Sequence, residues 1–137
     1  MSASPASTGR NVLARRHRPP CVVRVLDALG DFLSHAEDYL RAKRVAQAGV
    51  IAGVVFEDTI RRACDRRKIP QKSVKLDELI TSLNKGGHLS DVKAHNARAA
   101  AGLRTKATHA QWDDFDATDV QATIKITRDV IGELLES

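Results

Sequence analysis

The chain has 137 residues, 42% hydrophobic and 28% charged, a mix that supports one folded domain with its own core and excludes a wholly disordered chain. No apolar run approaches the ~20 residues of a membrane span and the N-terminus lacks the continuous apolar core of a secretory signal, so the expectation is a cytoplasmic protein with no membrane partner. Of the 22 Lys and Arg residues, Arg10, Arg15, Arg16, Arg18 and Arg24 fall in the first 24 positions without a single acid, so the other 17 balance all 17 acids and the net charge of +5 resides at the start.

Residues 1–20, with Ser2, Ser4, Pro5, Ser7, Gly9, Pro19 and Pro20, hold no sustained apolar period and read as a flexible basic arm ahead of a helical domain over 21–137. Dispersed arginines attract polyanions through counterion release, although a plain solvated tail has the same composition. Val22, Val25, Leu26, Leu29, Leu33, Ala36 and Leu40 recur at three- and four-residue steps and predict a first helix running to about Lys43. Val45, Ala48, Gly49, Ala52, Val55, Phe56, Ile60 and Ala63 predict a second. In it Gly49 and Gly53 lie one turn apart, each less favourable than Ala in a helix by roughly 1 kcal/mol, which implies a close helix approach as compensation.

A third, short helix carries Leu76, Leu79, Ile80 and Leu83, with Ser73 as its expected cap and Gly86-Gly87 as its stop. Ser90 caps a fourth, with Val92, Asn96, Ala99, Ala100 and Leu103 as its expected inner stripe and an end somewhere in residues 104–109. Asp113-Asp114-Phe115-Asp116 reads as an acidic connection. Asp116 or Thr118 then caps a last helix that buries Val120, Ile124, Thr127, Ile131, Leu134 and Leu135. No period-two alternation competes, so the expected fold is an all-α antiparallel bundle of about five helices.

Among motifs with chemical meaning, phosphate-binding glycine loops, paired-cysteine zinc signatures and H-E-x-x-H are absent from the sequence, so neither a cofactor nor a metal site is expected. Cys21 and Cys64 read as free thiols, and His17, His35, His88 and His95 are scattered singly. Arg104 and His109 differ in forming a pair at a polar break. Histidine titrates near neutral pH and can move a proton, whereas arginine stays charged and presents a fork that fits phosphate oxygens. Such a pair can cleave RNA without metal because the 2′-hydroxyl is the substrate's own nucleophile. On a straight helix the two stand about 140° apart, so either the helix breaks between them or a second copy completes the site.

The stretch from about Leu26 to Leu135 resembles HEPN domains, small helical bundles whose signature is R-x(4–6)-H. Arg104-Thr105-Lys106-Ala107-Thr108-His109 fits the four-residue spacing. The run from Ala46 to Arg61 looks like the family's small-residue helix, ending in the acidic pair Glu57-Asp58, and Leu76 to Leu83 looks like its short middle helix. Within the superfamily the nearest likeness is to bacterial DUF4145-like proteins. The resemblance implies a metal-independent endoribonuclease that leaves 2′,3′-cyclic phosphate ends. In it His109 acts as acid or base, Arg104 steadies the phosphate, Lys106 and Thr105 contact RNA, and Glu57 supports the arginine, unless Glu57 is simply an exposed helix carboxylate. It also implies a homodimer with two motifs at one cleft, and a toxin–antitoxin or phage-defence setting with an antitoxin or other defence partner. Active members carry Asn, Asp or His after the arginine where this chain has Thr105, so a non-catalytic RNA-binding or adaptor module is the alternative reading.

Overall fold

The computed structural model describes residues 20–136, with side chains from Arg24 onward; residues 1–19 of the expected arm and the Cys21 side chain lie outside what is described, and Pro20, expected in the arm, opens the first helix. The described residues form an all-α bundle of five helices: α1 (Pro20–Arg41), α2 (Val45–Arg66), α3 (Leu76–Lys85), α4 (Asp91–Thr108) and α5 (Ala117–Val130). A short 3-10 turn, Trp112–Asp114, precedes α5, and a π-helical turn, Ile131–Leu135, prolongs it. No strand occurs among the described residues, and no helix there is long and apolar enough to cross a membrane.

Helix α2 is the centre of the bundle and packs against each of the other four helices. Its composition makes that arrangement available: Ala48, Gly49, Ala52, Gly53 and Ala63 are buried, and side chains this small let neighbours approach on several sides at once. The predicted close helix approach is present at Gly53, whereas Gly49 is met by a side chain from the connection before α5. A Cβ on Gly53 would lie 2.9 Å from the Cα of Arg104 in α4, and one on Gly49 would lie 2.6 Å from the Phe115 ring. Around this axis Leu29 and Leu33 of α1, Leu79, Ile80 and Leu83 of α3, and Val120 and Ile124 of α5 close one continuous core.

Helix ends follow the chain chemistry in most places. Ser90 accepts from the Lys93 N–H, and Asp116 and Asp119 form a reciprocal capping box. At the C-termini of α1, α2, α3 and α4 the chain closes paired 6→1 and 5→2 hydrogen bonds, with Lys43, Lys68, Gly87 and Ala110 in the left-handed position. Only one of those four is glycine, which is why the sequence marked the end of α3 sharply and the end of α4 only as a zone.

Three expectations are corrected. Ser73 does not cap α3: it takes φ 64° in the preceding loop, and the helix starts at Leu76 after Lys75, with Asp77 and Glu78 in its first turn favouring the helix dipole. The inner stripe of α4 is Ala94, Ala97, Ala100, Ala101, Leu103 and Ala107, whereas Val92 is 71% exposed and Asn96 and Ala99 face solvent. Alanines on every side of this helix erase the hydrophobic contrast, and the tight seat on α2 selects the face by size. Phe115, assigned to a polar connection, is buried because its ring fills the notch over Gly49.

Candidate functional site

Helix α4 runs unbroken through the motif. Arg104 sits in its last turns, and His109 is the C-cap residue, with its backbone N–H on the Thr105 carbonyl at 3.1 Å. Gln111 N–H bonds the Lys106 carbonyl at 2.8 Å and Ala110 N–H the Ala107 carbonyl at 3.2 Å, so the turn that ends the helix also fixes the His109 backbone.

The two motif residues come to one cleft of about 740 Å3 from different sides of α4. Arg98, Gly102, Thr105 and His109 follow each other at four-, three- and four-residue steps, so they form a single stripe within roughly 60° of arc along the cleft floor. Arg104 projects from the flank nearest α2, where Gly53 brings the two backbones together. The opposite wall is the loop Ser73–Val74–Lys75 and the start of α3. A single chain therefore places Arg104 and His109 on one cleft, with neither a helix break between them nor a second copy.

Glu57 organises the α2 wall. Its Oε1 lies 2.7 Å from Arg104 Nη2 and its Oε2 accepts from Arg61 Nε at 2.9 Å. The carboxylate is only 21% exposed, so it is the arginine's partner and not a solvated helix carboxylate. Arg61 also donates from Nη1 to the Gln71 carbonyl at 2.7 Å and from Nη2 to the Val74 carbonyl at 3.1 Å. One carboxylate thus links the motif arginine to the residue that ties down the loop wall. Arg104 Nε is buried without a hydrogen-bond partner among the described residues.

The two residues expected to contact RNA are placed differently with respect to the cleft. The Thr105 hydroxyl lines the cleft but donates to the Ala101 carbonyl at 3.1 Å, so its proton is already committed. Lys106 is not part of the cleft walls. Arg61, Ser73, Lys75, Asp77 and Arg98 are the polar cleft side chains that sequence reasoning missed. For Arg98 a signal existed, because it precedes His109 by eleven residues and shares its helical stripe; for Arg61 none did, since its partners are loop carbonyls.

Charge in the cleft is unbalanced. Arg61, Lys75, Arg98 and Arg104 face two acids, Glu57 and Asp77, and Glu57 is occupied by two arginines. That suits an anionic ligand with oxygens for a guanidinium fork to grip. A second groove of about 500 Å3 between α1 and α5 has both its arginines paired, Arg128 with Glu37 at 2.9 Å and Arg41 with Asp38, and no histidine lines it. His35, His88 and His95 are exposed, Cys64 is a buried free thiol, and no group of three His, Cys, Asp or Glu side chains among the described residues is arranged to hold a metal ion. In comparisons with known proteins, no family model, no curated protein and no solved structure matches the chain.

Proposed function

We propose that the protein is a HEPN-type ribonuclease acting on RNA at the cleft between α4, α2 and the α2–α3 loop. The observation that carries the proposal is the convergence of Arg104 and His109 on one cationic cleft, with the Arg104 guanidinium oriented by Glu57. In this reading Arg104 binds the scissile phosphate and stabilises the charge that builds on it. The His109 imidazole either takes the proton of the ribose 2′-hydroxyl or gives one to the departing 5′-oxygen. The 2′-oxygen forms a bond to phosphorus as the bond to the 5′-oxygen breaks, leaving a 2′,3′-cyclic phosphate and a 5′-hydroxyl. No metal enters these steps.

The proposal extends to a homodimer, a cytoplasmic setting, and a role as a toxin or defence effector restrained by a partner. The test is incubation of the purified protein with mixed RNA in EDTA, followed by end mapping. Cleavage with cyclic phosphate ends, lost in His109→Ala, is the expected result; equal cleavage by wild type and variant overturns the proposal.

The engaged hydroxyl of Thr105 favours a second reading, in which the same cleft binds RNA without cutting it. A side chain that has donated its proton to Ala101 cannot also donate to the phosphate. RNA binding that survives His109→Ala, with no cleavage by either protein, selects this reading.

A further inference from the structure

The stripe that carries His109 extends back along the cleft to Arg98, eleven residues or about 16 Å of helix rise away. Arg98 is exposed, lines the same cleft, and makes one hydrogen bond, from Nη2 to the Thr81 hydroxyl at 3.0 Å, out of a fork that holds five N–H groups. Thr81 in turn donates to the Asp77 carbonyl, so the guanidinium is steadied on α3 without being neutralised by a carboxylate. Lys75 stands on the adjoining loop wall. Arg98 precedes Arg104 by six residues, about 9 Å of helix rise, a separation that two long arginine side chains can adjust to neighbouring phosphates of one strand.

The floor between them is bare. Gly102 lies between Arg98 and Thr105 on the stripe, and a Cβ built there meets nothing within 4 Å. A helix of these proportions normally carries a side chain at such a position, and its absence leaves room for a ribose or base between the two cationic ends.

We propose that the cleft binds a strand across two successive phosphates, with Arg104 and His109 at one and Arg98 with Lys75 at the next, over the open Gly102 floor. This rests on the reading of the cleft as an RNA site, and it adds a second phosphate subsite that determines the minimum ligand length.

The test uses the full chain and short oligonucleotides with deoxyribose at the cleavage position, so that no reaction competes with binding. A dinucleotide with one internal phosphate is compared with the same dinucleotide carrying an added 5′-phosphate and with one carrying an added 3′-phosphate. Trp112 is the only tryptophan and lies three residues after His109, so its fluorescence is a direct readout, with calorimetry as a check. One of the two added phosphates is expected to tighten binding about tenfold or more, as one charge-assisted contact does. Arg98→Ala should remove that gain, whereas Arg98→Lys should keep part of it. On a longer strand the slope of log affinity against log salt should fall by about 0.7 in Arg98→Ala. Gly102→Phe fills the floor and should weaken both ligands, with the circular dichroism spectrum unchanged.

Neither added phosphate improving wild-type binding overturns the inference, as does a gain that persists in Arg98→Ala. Those results would leave RNA cleavage by Arg104 and His109 standing. A gain that depends on Arg98 in a protein that never cleaves RNA would instead overturn the nuclease and leave the two-phosphate subsite standing.

Discussion

The backbone of α2 at Gly53 is in contact with the backbone of α4 at Arg104: a methyl group on Gly53 would stand 2.9 Å from the Arg104 Cα and 3.2 Å from its Cβ. The neighbour here is backbone and not the end of a flexible chain, so Gly53→Ala must push the helices apart. Overpacking of this kind costs about 1–3 kcal/mol, against a gain of up to about 1 kcal/mol in helix propensity. Net destabilisation is expected, together with loss of the Arg104–Glu57 register. Gly102→Ala is the control on the same site, because its added methyl meets open space, and it should stabilise by up to about 1 kcal/mol. Urea unfolding of both variants checks the pair; stabilisation by Gly53→Ala would show that the close approach is not required.

Glu57 bridges Arg104 and Arg61, and all three side chains are less than a third exposed. Glu57→Gln keeps the shape and removes the charge, leaving two guanidinium groups facing a neutral amide. A loss of about 1–2 kcal/mol in stability is expected, since the site is partly wet and the full penalty of a dry broken pair does not apply. Cleavage of RNA should fall along with it, because Arg104 loses its fixed position while the chemistry of His109 is untouched. Thermal unfolding and initial rates measured on the same preparation test both statements, and an unchanged melting temperature would mean that the bridges add nothing.

How far the site could be read from the sequence depends on side-chain size and reach. The bundle, a cap at Asp116 or Thr118 and the close helix approach at Gly53 were legible, because glycine and capping residues have local consequences. The seat of Phe115 was not: a buried ring surrounded by Asp113, Asp114 and Asp116 contradicts its local composition and makes sense only with the Gly49 notch opposite it. Arg61 was equally silent, since it is recognised by the carbonyls of Gln71 and Val74, which any residue supplies. The expected need for a helix break or a second copy to bring Arg104 and His109 together is removed by geometry, since both line one cleft of a single chain. A cleft reached from two sides of one helix needs no common face.

Burial pushes the Cys64 thiol above its ordinary value of 9.0, and the nearby charges of Arg67 and Arg61 pull it partly back. The folded state therefore holds this proton more tightly than the unfolded chain. The resulting stability is fully present below the ordinary thiol value and is lost as pH rises from there through the folded value. Between about pH 8 and about pH 10, wild type should lose more stability than Cys64→Ala, even though the variant starts lower from the cavity it creates. The difference between the two pH profiles isolates the thiol from lysine and tyrosine titration. Parallel profiles would remove Cys64 from the alkaline response.

Ala110 holds φ 56° immediately after His109, the left-handed position that completes the end of α4. An L-residue there carries a penalty of about 1–2 kcal/mol from the contact of its Cβ with the following carbonyl, and glycine carries none. Glycine also loses more freedom on folding, so Ala110→Gly should stabilise by a net of about 0.5–1 kcal/mol, or roughly 2–4 °C in melting temperature for a chain of this size. A β-branched residue is worse suited than alanine, so Ala110→Val should destabilise and fray the turn that holds the His109 backbone. The pair separates stability from function. If His109 takes part in cleavage from this C-cap position, Ala110→Gly should retain the wild-type rate per folded molecule and Ala110→Val should lower it. Equal rates in both variants would show that the helix end does not position the histidine.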